Sequence, residues 1–302
     1  MSTLPTFTIR ELLEAGVHFG HKTERWNPKM QEFIYGERNG LHIIDLQKTL
    51  PMLYQALAKV KEVAEKNGKI LFVGTKHQAQ ESIKDAASRC GQFYVNFRWL
   101  GGMLTNWNTV SQSIKTLKTL EEIAANDNEA EPTHGLTKKE LLDKARKKDK
   151  LELSIGGVKD LVGKPDIVII IDVRREELAV KEAQKLGIPV VGIVDTNSTP
   201  EGIDYPVPGN DDSIRAIKMY CKLFSDAALA GIQSSLTDAP VKPADEEVKT
   251  EESKAVEVKK EDKPTTKKDT SEVTVEVKKK KKIVKEDIKS EKAETETEEK
   301  AS

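Results

Sequence analysis

Two short stretches hold most of the side chains that could do chemistry. The first is Val17-His18-Phe19-Gly20-His21-Lys22-Thr23-Glu24-Arg25-Trp26-Asn27-Pro28-Lys29-Met30. It is basic, broken by glycine and proline, and reads as an extended loop, the kind of segment that carries function more often than core. Lys22, Arg25 and Lys29 are cations suited to phosphate, and Trp26 and Asn27 add a stacking face and an amide. His18 and His21, three apart, can share a face. Zinc takes three or four ligands, however, and no Cys or acidic residue stands at supporting spacing. The pair therefore reads as packed or hydrogen-bonded histidines, with no metal. The second stretch, Phe97-Arg98-Trp99-Leu100-Gly101-Gly102-Met103-Leu104-Thr105-Asn106-Trp107, holds two of the three tryptophans. Its glycine pair permits a tight turn or a close approach, and arginine and tryptophan are side chains that anchor interfaces or stack on bases.

Catalytic patterns are absent by comparison. Gly74-Thr75-Lys76 follows an apolar run but is neither GxGxxG nor a phosphate-cradling loop. Asp172 and Asp195 end neighbouring apolar runs and could hold Mg²⁺, or could equally start turns. No Ser/His/Asp set or cysteine nucleophile can be placed. A binding role is the expectation, with no cofactor and no small-molecule substrate. The alternative is an α/β enzyme or nucleotide-binding module that uses the Asp172/Asp195 crevice.

Composition narrows the partners. The 302 residues carry a formal charge of −1. From Thr237 to Ser302 stand 17 of the 49 Lys and Arg and 19 of the 50 Asp and Glu, which leaves 32 basic and 31 acidic residues in 1–236. Basic groups in the body must be clustered if they meet an anion. The segment 237–302 has no aromatic residue and no glycine and includes Lys278 to Lys282; it reads as a disordered, self-compensating tail. Two cysteines, Cys90 and Cys221, lie in helical patterns as small core residues, which fits a reducing compartment. The longest apolar run, Ile167 to Ile171, is far too short to span a bilayer, and no targeting pattern opens the chain. A cytoplasmic protein without a membrane partner follows.

The elements that position these residues alternate. Thr8 caps a short helix with Glu11 completing a capping box, and Gly16 ends it. Leu41 to Asp45 is a strand, and Asp45 caps a helix from Leu46 to Lys66. Strands at 69–74, 92–95, 165–172 and 189–195 alternate with helices at 75–89, 176–186 and 210 to about 229, and 205–208 is an edge strand where proline is tolerated. Short connections imply a mostly parallel sheet covered by helices. Between residues 105 and 155 two helices with narrow apolar stripes, Val110/Ile114/Leu117/Leu120/Ala124 and Leu141/Ala145/Leu151/Ile155, flank a breaker at 126–135. They read as an inserted antiparallel hairpin that projects. The expected organisation is a discontinuous α/β domain at 1–104 and 156–236, a hairpin at 105–155 and a tail at 237–302.

Gly16-Val17-His18-Phe19-Gly20-His21, Arg25 to Met30, Phe97 to Asn106, Pro165-Asp166 through Asp172, Glu182, and Gly187-Ile188-Pro189 to Asp195-Thr196-Asn197 occur in this order. Together they resemble the S-two family of bacterial small-subunit ribosomal proteins over about residues 4–235. The resemblance implies a flavodoxin-like fold with an inserted coiled coil, residence between head and body of the small subunit, binding to small-subunit rRNA, and help in seating the mRNA-binding S-one protein. It implies no enzyme activity. Carried onto matching positions, it makes Lys22, Arg25, Trp26, Asn27, Lys29, Arg98, Trp99 and Asn106 candidate RNA contacts, with Arg174 and Arg175 beside them. Phe97, Leu100 and Met103 are expected to pack inward, and Trp107 to be structural.

Overall fold

A computed structural model describes residues 4–126 and 137–238. The order is α1 (Ile9–Ala15), β1 (Phe19–Lys22), β2 (Ile34–Arg38), β3 (Leu41–Ile44), α2 (Leu46–Glu65), β4 (Ile70–Val73), α3 (His77–Arg89), β5 (Phe93–Val95), α4 (Trp107–Asn126), α5 (Lys138–Ile155), β6 (Ile167–Ile171), α6 (Glu177–Leu186), β7 (Val190–Val194), β8 (Tyr205–Pro208) and α7 (Ile214–Asp238).

Five strands form a parallel sheet in the order β5-β4-β6-β7-β8. Chain order and sheet order part company once, where β5 lies on one side of β4 and β6 on the other. The apolar runs are buried on both faces because alternate side chains point opposite ways. Ile70, Phe72, Ile167, Ile169, Ile171, Val191 and Ile193 join one core with α1, α2, α3 and α7. Leu71, Val73, Val168, Ile170, Val190 and Val194 join the other, with α6, the start of α4 and Trp99 to Leu104. β8 is the proline-bearing edge, as expected.

Helix boundaries follow local chemistry. Thr8 and Glu11 complete the capping box of α1, Gly16 closes it with φ +79°, and Asp45 accepts from Gln47 N at the start of α2. Thr137 and Glu140 form a second capping box, on α5. Thr75, expected to open α3, does not; the cap is Lys76, and Thr75 donates elsewhere.

The first forty residues depart furthest from expectation. The stretch 17–30, expected as an extended loop, contains β1, and β1 and β2 pair with β3 in a separate antiparallel sheet, order β1-β3-β2. Asn39 and Gly40, at φ +53° and +73°, make the two-residue turn between β2 and β3, the pairing that primed hairpin turns require.

The helices α4 and α5 also differ in detail. Val110, Ile114 and Leu117 of α4 are buried and join the cluster that holds Ile155 at the end of α5 and Val158 just beyond it, together with Val168 and Ile170 of β6. On α5 the covered positions are Leu141, Lys144, Lys148, Leu151, Ser154 and Ile155, while Ala145 is exposed. The lysine stems occupy places that alanine was expected to take, since long aliphatic stems cover apolar surface while their heads reach water. The return at Gly157 is tight: a Cβ there would stand 2.2 Å from the Tyr94 carbonyl oxygen. The breaker from 127 onward and the tail beyond Asp238 lie outside the described residues.

Candidate nucleic-acid interface

The candidate residues gather beyond the carboxyl ends of the parallel strands, where open α/β sheets bind ligands. Five loops meet there: 74–76 after β4, 96–106 after β5, 172–176 after β6, 195–199 after β7 and 209–213 after β8. The N-terminal segment is tied to the same edge. His21 N donates to Thr196 Oγ1 at 2.9 Å, Asn27 N to the Thr196 carbonyl at 2.8 Å, and Asn27 Nδ2 to Thr199 Oγ1 at 2.8 Å.

The turn 98–105 is organised by one carboxylate from α6. Glu182 accepts from Trp99 Nε1 (3.2 Å), Gly102 N (2.8 Å), Leu104 N (3.0 Å), and Thr105 N and Oγ1 (both 3.1 Å). Burial pushes its pKa up, but the Thr105, Trp99, Gly102 and Leu104 donors outweigh burial and hold it below the ordinary value. Gly102, at φ +81°, lets the backbone turn its N–H inward. Trp99, expected to face RNA, is therefore buried, with its indole N–H committed to Glu182. Phe97, expected to pack inward, is 48% exposed. Leu100 and Trp107 pack against the core and Met103 is buried, as expected.

A second acidic cluster lies along the edge. His21 Nδ1 is 3.1 Å from Asp195 Oδ2 and its Nε2 is 3.3 Å from Asp212 Oδ2. Lys76 Nζ contacts Asp211 Oδ1 at 2.8 Å, Asp212, and Asp172 Oδ2 at 3.5 Å. Burial, followed by the charges of Asp195 and Asp172, raises Asp211 to about 7 in spite of Lys76. The neighbouring Asp195 is the chief cause that raises His21, with Asp211 and Asp212 adding to it against burial. Burial works to lower Lys76, and the aspartates reverse that, so it remains a cation. Ligand atoms of His21, Asp195, Asp211 and Asp212 lie within 4.8 Å of one another. Asp195 Oδ2 and Asp211 Oδ2 are buried without an aligned hydrogen-bond donor. One imidazole and three carboxylates are a donor set that fits a small divalent cation such as zinc. Local spacing around His21 hid this set, because the carboxylates arrive from the far end of the chain. His18 instead lies against Phe19, ring centroids 4.0 Å apart. Asp172 pairs with Lys76 and Asp195 with His21, and both carboxylates border the same Asp211/Asp212 cluster.

The remaining candidates divide by whether their polar atoms are spent. Asn27 caps the 3₁₀ turn Pro28–Phe33 by accepting from Lys29 N, and its amide is taken by Thr199. Lys29 pairs with Glu201 at 2.5 Å. Asn106 is exposed and accepts from Thr109 Oγ1. Arg175 donates from Nε to Thr75 Oγ1 at 3.0 Å, which in turn donates to buried Glu176. Lys22, Arg25, Arg98 and Arg174 are exposed and form no ion pair among the described residues. Trp26 is 38% exposed, its ring 5.5 Å from that of His42.

Two open grooves flank the β6–α6 turn. One, of about 790 Å³, is walled by Arg25, Trp26, Arg174 and Asn197, among others. The other, of about 740 Å³, is walled by His77, Phe97, Arg98 and Arg175 and includes no carboxylate. Asp172, left-handed at φ +67°, shapes the turn between them, and its Oδ1 accepts from Arg175 N at 3.0 Å.

Residues 12–231 match the family model described as Ribosomal protein S2. The small ribosomal subunit protein uS2 of Cereibacter sphaeroides (strain ATCC 17029 / ATH 2.4.9) is 58% identical over 238 residues, covering 79% of this chain and 93% of the relative. The uS2 proteins of Rhodospirillum centenum and Paracoccus denitrificans are 55% and 57% identical over the same length, covering 79% of this chain and 90% and 89% of theirs. Among the described residues no helix is long and apolar enough to cross a membrane. On the family match over residues 12–231 and on these relatives, the chain belongs to the ribosomal protein S2 family of the small ribosomal subunit.

Proposed function

We propose that the chain binds small-subunit rRNA through the carboxyl edge of its sheet. The observation that carries this reading is the set of exposed cations there, Lys22, Arg25, Arg98 and Arg174, with no acidic partner among the described residues, in a body of near-zero net charge. Unpaired arginines at a surface are available to phosphate oxygens, and phosphate contacts fix register on RNA. The near balance of charge favours a small RNA footprint with protein neighbours sharing the work. By family resemblance the chain sits between head and body and helps seat the S-one protein. The apolar groove of about 630 Å³ at Leu13, Phe19 and Tyr35, the last 80% exposed, supports a protein neighbour. The 3-4 spacing of covered positions on α4 and α5 supports a short coiled coil between them.

Cosedimentation tests the RNA half. Arg25→Ala with Arg98→Ala should lower occupancy on small subunits at moderate salt while the isolated protein melts normally. Unchanged occupancy would remove those arginines as the anchor.

A further inference from the structure

We infer that the two grooves beside the β6–α6 turn form one track for an unpaired RNA strand, with a base stacked on Trp26 in the first and on Phe97 in the second. This rests on the RNA-binding reading and specifies the form of RNA that the edge accepts. Each groove has an exposed aromatic ring and an arginine free of acidic partners: Trp26 with Arg25 in one, Phe97 with Arg98 in the other. Their walls meet at consecutive residues, because Arg174 lines the first and Arg175 the second. Adjacent Cα atoms are about 3.8 Å apart, so at this turn the two grooves are separated by a wall about one residue wide.

The turn that joins them is held before any ligand arrives. Asp172 fixes the Arg175 amide, and Thr75 fixes its guanidinium at Nε, which leaves the terminal nitrogens for phosphate. Two wall acids of the first groove are already neutralised, Glu177 by Lys181 and Glu201 by Lys29, both at 2.5 Å. Glu24 remains, against Arg25 and Arg174. The amide of Asn197 accepts from Ser198 and keeps its own donors for a base edge.

The chemistry selects single-stranded RNA. In a duplex the base faces are stacked on one another, and exposed protein rings have nothing to stack on; unpaired bases offer those faces. A free mononucleotide fits less well. Its phosphates would need the loop after β4, where Lys76 is held by Asp211 and Asp212 and the Thr75 hydroxyl by Glu176.

The test uses the full chain, an adenylate dodecamer and a blunt RNA duplex of the same length. The single strand should bind more tightly than the duplex and quench tryptophan emission. Trp26→Leu and Phe97→Leu should each weaken single-strand binding about tenfold with unchanged melting, and Trp26→Leu should abolish most of the quenching. Arg98→Ala and Arg174→Ala should each reduce the salt dependence by about 0.7 in the log–log slope. Equal affinity for the duplex, or equal displacement by polyglutamate, would overturn the track. Ring variants that bind like wild type, while Arg25→Ala with Arg98→Ala still loses subunit occupancy, would overturn the track and leave the RNA reading standing. Failure of both sets to matter would overturn both.

Discussion

Two buried acidic sites lie along one edge of the sheet, and they are built in opposite ways. Glu182 is surrounded by donors: five N–H and O–H groups point at its two oxygens, and its pKa is depressed. Asp195 and Asp211 are surrounded by charge but each leaves an oxygen without an aligned donor, and Asp211 is raised to about 7. A saturated carboxylate is a structural rivet, since every donor it satisfies belongs to the turn it holds. An unsaturated one is held under electrostatic tension by its neighbours. The difference teaches which acidic residue to remove in order to unfold the edge and which to remove in order to retune it.

The largest expected effect comes from the rivet. Glu182→Ala leaves buried N–H groups unpaired at a cost of about 3–5 kcal/mol, which corresponds to a fall in melting temperature of about 10 °C for a domain of this size. Trp99 emission should shift to the red as its turn loosens. A melting temperature within two degrees of wild type would erase the contrast.

The pH dependence of the two sites should have opposite signs. Glu182, with a depressed folded pKa, stabilises the fold above its unfolded value near 4, and that contribution is lost as pH falls through the folded pKa. Asp211, with a raised folded pKa, is bound to its proton more tightly in the fold, so stability declines as pH rises from about 4 to about 7. His21, also raised, contributes below about 6.5 and loses that contribution as pH climbs through its folded value. Asp211→Asn should flatten the decline between pH 4 and 7 by about 1–2 kcal/mol, and denaturant titrations in chelator across that range would register it. An unchanged slope would show that Asp211 is not the group responsible.

A smaller effect should separate the sites by ligand. Zinc added to chelated protein should raise the melting temperature by a few degrees through the His21, Asp195, Asp211 and Asp212 donors. Asp195→Asn should abolish that rise, and Glu182→Gln should retain it. A rise that survives Asp195→Asn would place the ion elsewhere. The smallest effect is expected from the tail: deletion of 239–302 should shift melting by less than about one degree and leave subunit occupancy unaltered.

Much of the fold was legible because it depends on local rules. The runs at 167–171 and 190–194 could only be strands buried on both faces, and Thr8, Asp45 and Gly187 are caps by residue type and position. The Asn39-Gly40 hairpin carries a local signal as well, an Asn-Gly pair between two short runs. The site was less legible. The partners of Glu182 lie 77 to 83 residues away, and the carboxylates around His21 more than 170 away, so no spacing pattern exposes them. Trp99 and Phe97 exchanged their expected roles because the turn that carries them follows neither a helical nor a strand period. On α5, a binary pattern favoured Ala145, whereas the stems of Lys144 and Lys148 take the covered positions.

The bonds from His21 and Asn27 to Thr196 and Thr199 span 175 and 172 residues. At synthesis rates of about 5–20 residues per second, the N-terminal segment waits roughly 10–35 s for its partners to be made. In that interval the β1-β3-β2 sheet can close on its own neighbours, but its docking surface does not yet exist. The join between the N-terminal cations and the loop after β7 is thus a late contact in the life of the nascent chain.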